Sequence, residues 1–299
     1  MIEILKQVML SVKQGKPDPT RRSLQFYLNM ASKTEQVVLR AENFERVIRG
    51  LTAQMFVLKT LVGTTTTNAW KDTFRTGGTA VLTGGTGSGI EGIPRLTAFP
   101  ELAPDWTKNS AVQVKYGGKG TISEEDALSD FIDVQKRTMI KVSEAMVSSV
   151  DGRIYTDLSA AATQTAAAAA NWDASVIANR DPLLDVLLAI EVLQVANVAI
   201  TGTPTLLLNP HDNVYWITNP KVLAQNNLDK VVSIKVTNSV ADDEALIYID
   251  GASTWKTVKG LSTEVEVVAG IKIVMKAWEY GQLQVHFPKK LFKITGTKA

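Results

Sequence analysis

The chain contains no cysteine among its 299 residues, which excludes disulfides, thiolate catalysis and cysteine-ligated zinc. It has only two histidines, His211 and His286, which leaves little room for imidazole chemistry. No apolar run approaches the roughly 18 residues that a membrane span needs, so no membrane partner is expected. Residues 1–10 hold one lysine, a short apolar stretch and no small-residue cleavage site, so no secretory leader is expected either. Phosphate-loop and GxSxG nucleophile patterns are missing. One stretch, Gly87-Ser88-Gly89-Ile90-Glu91-Gly92, fits the GxGxxG dinucleotide pattern. That chemistry needs a helix directly after the glycines, and Pro94, Pro100 and Pro104 follow instead, so the stretch reads as a loop tip. The densest carboxylate cluster, Asp242-Asp243-Glu244, lacks the spaced ligands and glycine turn of a hard-cation loop and reads as a solvated turn before a strand. His211 falls in a surface turn after Pro210, and His286 alternates with Val285 and Phe287 on a strand. Spacing assembles no nucleophile, base and orienter, and no cofactor or metal is expected.

What is present is ordinary globular material, 45% apolar and 21% charged, enough for one or two domains with a sizeable core. Its charge is unevenly spread. Residues 1–50 carry nine Lys/Arg against five Asp/Glu, for +4. Residues 271–299 carry six Lys against Glu279, for +5, which leaves the middle at −7. Basic ends on an acidic body suit contact with a polyanion, and ordinary solvated charge accounts for them equally well.

The dominant stretch is Ile122–Leu158. Leu128, Ile132, Met139, Val142, Met146, Val150 and Ile154 recur at mostly helical steps, giving one apolar stripe. Ser123 with Glu124, Glu125 and Asp126 forms a capped, acidic start. No proline interrupts the run, and Gly152 is its weak point. This predicts a helical rod of roughly 50 Å, along which other elements must be laid.

Around this spine the chain changes character several times. Residues 1–62 read as an arm of helical pieces, broken at Gly15-Lys16-Pro17-Asp18-Pro19. Residues 63–121 are rich in glycine, proline and threonine, with a strand signal at Val112, Val114 and Tyr116. They hold too few core residues to fold alone, and so long an irregular excursion makes sense if it packs on another chain. Ser159–Ala170, rich in Ala and Thr, reads as a loop. Asp181 and Pro182 open a second helix, capped and apolar on much of its circumference, hence expected to be deeply buried. Thr205–Leu208 reads as a buried strand, and Asn209-Pro210 turns into a helix near Asp212–Ile217. Strands are expected at Val231–Thr237, Ala245–Ile249, Thr263–Val268, Ile271–Lys276, Leu283–Phe287 and Leu291–Ile294. The class is α+β, without regular βαβ alternation.

Three stretches in this order carry a resemblance to a family. Tyr116-Gly117-Gly118-Lys119-Gly120-Thr121-Ile122-Ser123-Glu124-Glu125 resembles the return strand of an extended loop leading into a spine helix. Thr203-Pro204-Thr205-Leu206-Leu207-Leu208-Asn209-Pro210, followed by a helix, is similar to the strand and turn of an axial domain. Val285-His286-Phe287-Pro288-Lys289-Lys290-Leu291-Phe292-Lys293-Ile294 looks like a closing strand. The layout resembles major capsid proteins of tailed double-stranded DNA phages, with the Hong Kong 97-like fold. Order of elements over about residues 40–296, more than identity, carries the likeness.

The resemblance implies an N-terminal arm at 1–62, an extended β-loop at 63–121 and a spine helix of the peripheral domain at 122–158. It also implies an axial domain at 159–270 and C-terminal strands of the peripheral domain at 271–299. It implies a structural, non-enzymatic subunit that assembles as pentamers and hexamers of a closed icosahedral shell, a virion protein synthesised and assembled in the host cytoplasm. Scaffolding, portal and decoration proteins and nonspecific contact with packaged DNA are the partners it implies. Trp70, Phe74, Phe99 and Trp106 then become intersubunit anchors, since aromatics concentrate interface energy. Lys16, Arg21 and Arg22 become genome-facing charges. One departure is that some members cross-link a loop lysine to a C-terminal-region asparagine. Lys71, Lys108, Lys115 and Lys119 are available, but no asparagine follows Asn238, so the shell is expected to lack covalent links. Two other readings stay open. An encapsulin-type shell would have the same fold around a protein cargo, and an α+β enzyme would use the glycine-rich loop as a lid.

Overall fold

A computed structural model describes residues 46–77, 106–123, 125–126, 131–196, 198–200, 202–225, 231–268 and 271–298 of the chain. The spine is helix α2, Phe131–Ala161. Ser123 does cap a helical turn, its Oγ accepting from the Asp126 amide at 3.1 Å. Ile122, expected inside the helix, belongs instead to a strand that runs to Ser123, and its side chain is buried. At the other end α2 passes through Gly152 and beyond Leu158 to Ala161. Val142, Met146, Val150, Ile154 and Leu158 form its buried stripe, as the spacing predicts.

Two sheets share this helix. In the first the order is β1-β9-β10-β4, with β1 Thr64–Thr66, β9 Ser253–Val268, β10 Lys272–Val285 and β4 Val114–Ser123. β9 and β10 form one long antiparallel hairpin. At roughly 3.3 Å per residue it matches the length of the spine laid across it. The expected separate strands at Thr263–Val268, Ile271–Lys276 and Leu283–Phe287 are therefore two long ones. The polar run Glu279-Tyr280-Gly281-Gln282, which broke the apolar pattern, is carried in register shifts between Trp278 and Gly281. α2 approaches β4 closely at Gly120, where a Cβ would run into Thr138 and come within 3.0 Å of Val142 Cγ2.

The second sheet has the order β5-β11-β8-β6-β7. Its strands are β5 Gln164–Ala167, β6 Thr205–Leu208, β7 Ser233–Val236, β8 Glu244–Tyr248 and β11 Leu291–Thr295. β5 arises from the alanine-rich stretch expected to be a loop; it is an edge strand parallel to β11, which supplies its partner from the far end of the chain. Residues 271–299, read as one group of strands, thus contribute to both sheets. Both faces of this sheet are covered, which explains unbroken apolar runs such as Leu206–Leu208. Leu207, Leu246, Tyr248 and Leu291 face the spine and α1, Leu58–Val62. Leu206, Leu208, Ala245, Ile247, Phe292 and Ile294 face the opposite way. There they meet Trp172, Trp216 and the helices α3 Pro182–Val195, α4 Pro210–Thr218 and α5 Pro220–Leu223.

The Asp181 cap read from sequence is in place, and the Asn209-Pro210 turn proves to be a cap as well. Asp181 Oδ1 accepts from the Leu184 amide at 3.3 Å, and Asn209 Oδ1 from that of His211 at 2.9 Å. The expectation that α3 is deeply buried holds for one face only, the one that meets the sheet. Leu184, Leu187, Leu188, Val192 and Val195 face outward and are exposed.

Glu244, expected in a solvated turn, ties the spine to the second sheet. It accepts from Tyr155 Oη at 2.7 Å and Ser159 Oγ at 2.9 Å, and from Lys293 Nζ at 3.3 Å. Burial pushes its carboxyl up, but these partners outweigh burial and hold it below the ordinary 4.5. Its stabilising contribution is therefore complete above about pH 4.5 and is lost as pH falls through the lowered value. Glu244→Gln should be less stable at neutral pH and should lose less stability on acidification. Denaturant unfolding across that range measures this, and an unchanged acid limb would show that Glu244 does not link the two.

Candidate functional site

The extended segment is built on a two-stranded ribbon, β2 Lys71–Gly77 with β3 Trp106–Val112. The strands pair antiparallel from Lys71 opposite Val112 to Gly77 opposite Trp106. An isolated two-stranded ribbon is marginal in water, and this one is pinned to the end of the β9–β10 hairpin. The Gly77 amide donates to His286 O at 2.8 Å, Thr76 Oγ1 to Val285 O at 3.2 Å, and Gln284 Nε2 to Asp72 Oδ2 at 3.1 Å.

Three of the four aromatics singled out in the sequence fall here. Trp70 sets its edge on Tyr280 at 5.4 Å, Phe74 on His286 at 5.8 Å and Trp106 on Phe287 at 6.1 Å. Each has one side on its own subunit, yet Trp70 remains 54% exposed, Trp106 43% and Phe287 40%. Phe74 and Trp106 share the wall of a cleft of about 540 Å³ with Asp72, Lys256 and His286; Trp70 lies outside it. Phe99, the glycine motif at Gly87–Gly92, and Lys16, Arg21 and Arg22 lie outside the described residues.

The root of this loop is held by buried charge. Asp151, on the spine, accepts from the amides of Val57 at 2.9 Å, Leu58 at 3.2 Å and Lys59 at 3.1 Å. It thus caps α1 from across the chain. Burial pushes the Asp151 carboxyl up in pKa, against the opposing pull of those three amides. Glu279, fully buried on β10, takes Lys59 Nζ at 2.6 Å on both oxygens and Trp255 Nε1 at 2.9 Å. α1 then ends at Gly63, whose φ of +71° turns the chain into β1 and the ribbon. Sequence reasoning missed Lys59, Asp151 and Glu279. For Asp151 a signal existed: it stands between Val147, Val150, Ile154 and Leu158, on the stripe itself. An acid at such a position needs a partner. Nothing local marks Lys59 or Glu279, which are 220 residues apart.

His211 lies against Tyr215, its Nδ1 3.5 Å from Asp212 Oδ1, and the His286 amide donates to Ala252 O at 2.9 Å. Asp242 pairs with Lys298 at 3.1 Å. Among the described residues no group of three or more acidic or histidine side chains could hold a metal ion, and no helix is long and apolar enough to cross a membrane. The arrangement is one of anchored surfaces: a ribbon rooted in buried charge and presenting half-exposed aromatics.

Residues 107–288 match a protein family described as phage capsid protein. No curated protein matches the chain by sequence. Among solved structures, the chain is similar to the virus-like particle from Pyrococcus furiosus, with TM-score 0.62 and 12% identity over 85% of this chain and 99% of that one. It is similar to a phage-related protein from Bordetella bronchiseptica RB50, with TM-score 0.58 and 12% identity over 86% and 96%. The capsid of cyanophage P-SCSP1u gives TM-score 0.57 and 12% identity over 79% and 86%.

Proposed function

The chain belongs to the phage capsid protein family, with the Hong Kong 97-like fold and a structural role in a virion, and from that premise we propose that it is the major capsid subunit of a tailed-phage head. In this reading copies assemble as pentamers and hexamers into a closed shell around double-stranded DNA. The spine with the β9–β10 sheet forms the peripheral part, and the five-stranded sheet with α3–α5 forms the axial part. Synthesis and assembly take place in the host cytoplasm, with scaffolding, portal and decoration proteins as partners.

The observation that carries the reading is the extended ribbon, anchored at its root and exposing aromatics at its flank. Such a segment gains its energy from a second chain. Trp106→Ala should cost the isolated subunit about 1 kcal/mol, the worth of an aromatic edge contact, and shell assembly about 2 kcal/mol or more. Equal losses in subunit melting and in assembly would place Trp106 in the subunit core and end the clasp reading.

Lys16, Arg21 and Arg22 are proposed to face the genome. Such contact is local, nonspecific and weakened by salt. Replacing both arginines with glutamine should leave empty shells intact and lower DNA retention. Failure to form empty shells would assign these charges to subunit contacts instead.

The likeness to the virus-like particle supports a second reading, an encapsulin-type shell with protein cargo. Electron microscopy of the expressed chain, together with the nuclease-protected nucleic acid and the protein content of purified shells, separates the two. A compact monomer under assembly conditions would overturn both.

A further inference from the structure

The four-stranded sheet β1-β9-β10-β4 has the spine and α1 on one side, where Trp255, Met275 and Ala277 are buried. Among the described residues no helix is laid on its other side. Strand alternation puts Trp278 and Tyr280 of β10 on that open side, between Lys115 of β4 and Lys259 of β9. Lys115 Nζ stands 5.3 Å from the centre of the Trp278 ring and 5.6 Å from that of Tyr280, and Lys259 Nζ stands 5.8 Å from Trp278. Trp70 closes the row with its edge on Tyr280. Two rings thus lie roughly 7 Å apart along one strand, with an ammonium on either flank of the indole. Both rings are half-buried, and both lysines are exposed. Gly117, opposite Trp278, has no side chain to cover the indole; a Cβ there would lie 2.7 Å from Trp278 Cβ.

The charge on this face is one-sided. Lys115, Lys119, Lys256, Lys259, Lys272 and Lys276 stand there against Glu264 and Glu266. Both glutamates are engaged by Lys276, at 3.8 and 2.7 Å, and Lys256 leans toward Asp72 at 3.8 Å. Lys115, Lys119 and Lys259 pair with no carboxylate among the described residues. These three uncommitted cations are the ones around the aromatic row.

We propose that this face binds single-stranded nucleic acid, with bases stacked on Trp278 and Tyr280 and phosphates held by Lys115, Lys119 and Lys259. A sheet that presents rings on a central strand and cations on its neighbours suits an unpaired strand, whose bases are splayed out and whose backbone is negative at every step. A duplex keeps its bases turned inward and meets only the lysines. An acidic polypeptide also meets the lysines but brings no ring at each step of its backbone. The site lies wholly within one subunit. It goes beyond the shell reading and does not depend on it, since a subunit that binds no strand could still build a shell.

The test uses the full chain in fluorescence anisotropy with labelled oligo(dT), oligo(U) and a duplex of the same length, at about 50 mM salt. Arg21→Gln and Arg22→Gln are present throughout, so that the arm proposed to meet the genome does not mask the face. The unpaired strands should bind at least about tenfold tighter than the duplex, and the tighter of the two identifies the strand as DNA or RNA. Trp278→Leu should weaken oligo(dT) binding about tenfold with its salt dependence unchanged, and Trp278→Phe, which keeps a ring, should retain most of the binding. Lys115→Gln combined with Lys259→Gln should lower the slope of log affinity against log salt by about 1.4, two phosphate contacts at roughly 0.7 each. Circular dichroism and melting are the folding controls, and the exposed lysine pair carries the test if Trp278→Leu does not fold. Equal affinity for duplex and single strand would reduce the face to plain charge and overturn the proposal. So would full retention of binding by Trp278→Leu. Displacement of oligo(dT) by an equal amount of polyglutamate would assign the face to an acidic protein segment and overturn it as well.

Discussion

Replacing Lys59 with methionine is expected to destabilise the unassembled subunit by about 3–5 kcal/mol, because it strands the fully buried Glu279 carboxylate without its cation. The Trp255 indole still donates to Glu279 at 2.9 Å, which places the loss toward the lower end. The informative comparison is with Lys59→Met combined with Glu279→Gln. The neutral amide keeps an acceptor for Trp255 and removes the unpaired charge, so the double variant should regain more than half of the loss. Denaturant unfolding of the four proteins gives the coupling directly. If the double variant is no more stable than Lys59→Met, the cost comes from lost packing of the lysine stem rather than from a stranded charge. The pair also fixes where the extended loop leaves the body, so Lys59→Met should weaken assembly at temperatures where the subunit remains folded.

Gly281→Ala is the second large effect. The added Cβ would lie 2.6 Å from Trp255 Nε1 and closer still to Cε2 and Cζ2 of the same ring. The indole has nowhere to go, since it is fully buried and held through its N–H by Glu279. Overpacking typically costs 1–3 kcal/mol, and here a buried hydrogen bond is lost with it, so about 3 kcal/mol or more is expected. Gly281 also sits where β10 shifts register against β9, so the backbone is constrained on both sides. Trp255→Phe removes the outer part of the indole and its N–H and should rescue Gly281→Ala in part, even though it destabilises the unmodified chain. Additive losses in the two single variants and their combination would mean that the ring is not what glycine accommodates.

The ribbon at β2–β3 shows how far pattern reading reached. Glycine and threonine content marked the segment as extended and dependent on a neighbour, and Trp70, Phe74 and Trp106 marked its aromatic content. Pattern did not show that each ring first leans on its own subunit, because Tyr280, His286 and Phe287 come from the other end of the chain. The same limit applied to β5, whose partner β11 lies about 130 residues away. α3 shows the opposite error. A helix apolar on much of its circumference is expected in a core, whereas α3 lays one face on the sheet and leaves the other bare in the single chain.

Local features could be read from the residues alone. The spine, the helical turn capped by Ser123, the Asp181 cap, the turn at Asn209-Pro210 and the apolar strand at Leu206–Leu208 all depend on residues within a few positions of one another, where helix period, strand period and hydrogen bonding to nearby amides decide the outcome. The order of these features also carried the resemblance to phage capsid proteins. Only the folded chain reveals which strands share a sheet, that Glu279 meets Lys59 and Trp255, that Asp151 caps a helix 94 residues away, and which face of α3 is left bare. These are long-range pairings, selected by total burial and by the need of every buried charge for a partner. No window along the chain contains both members of such a pair.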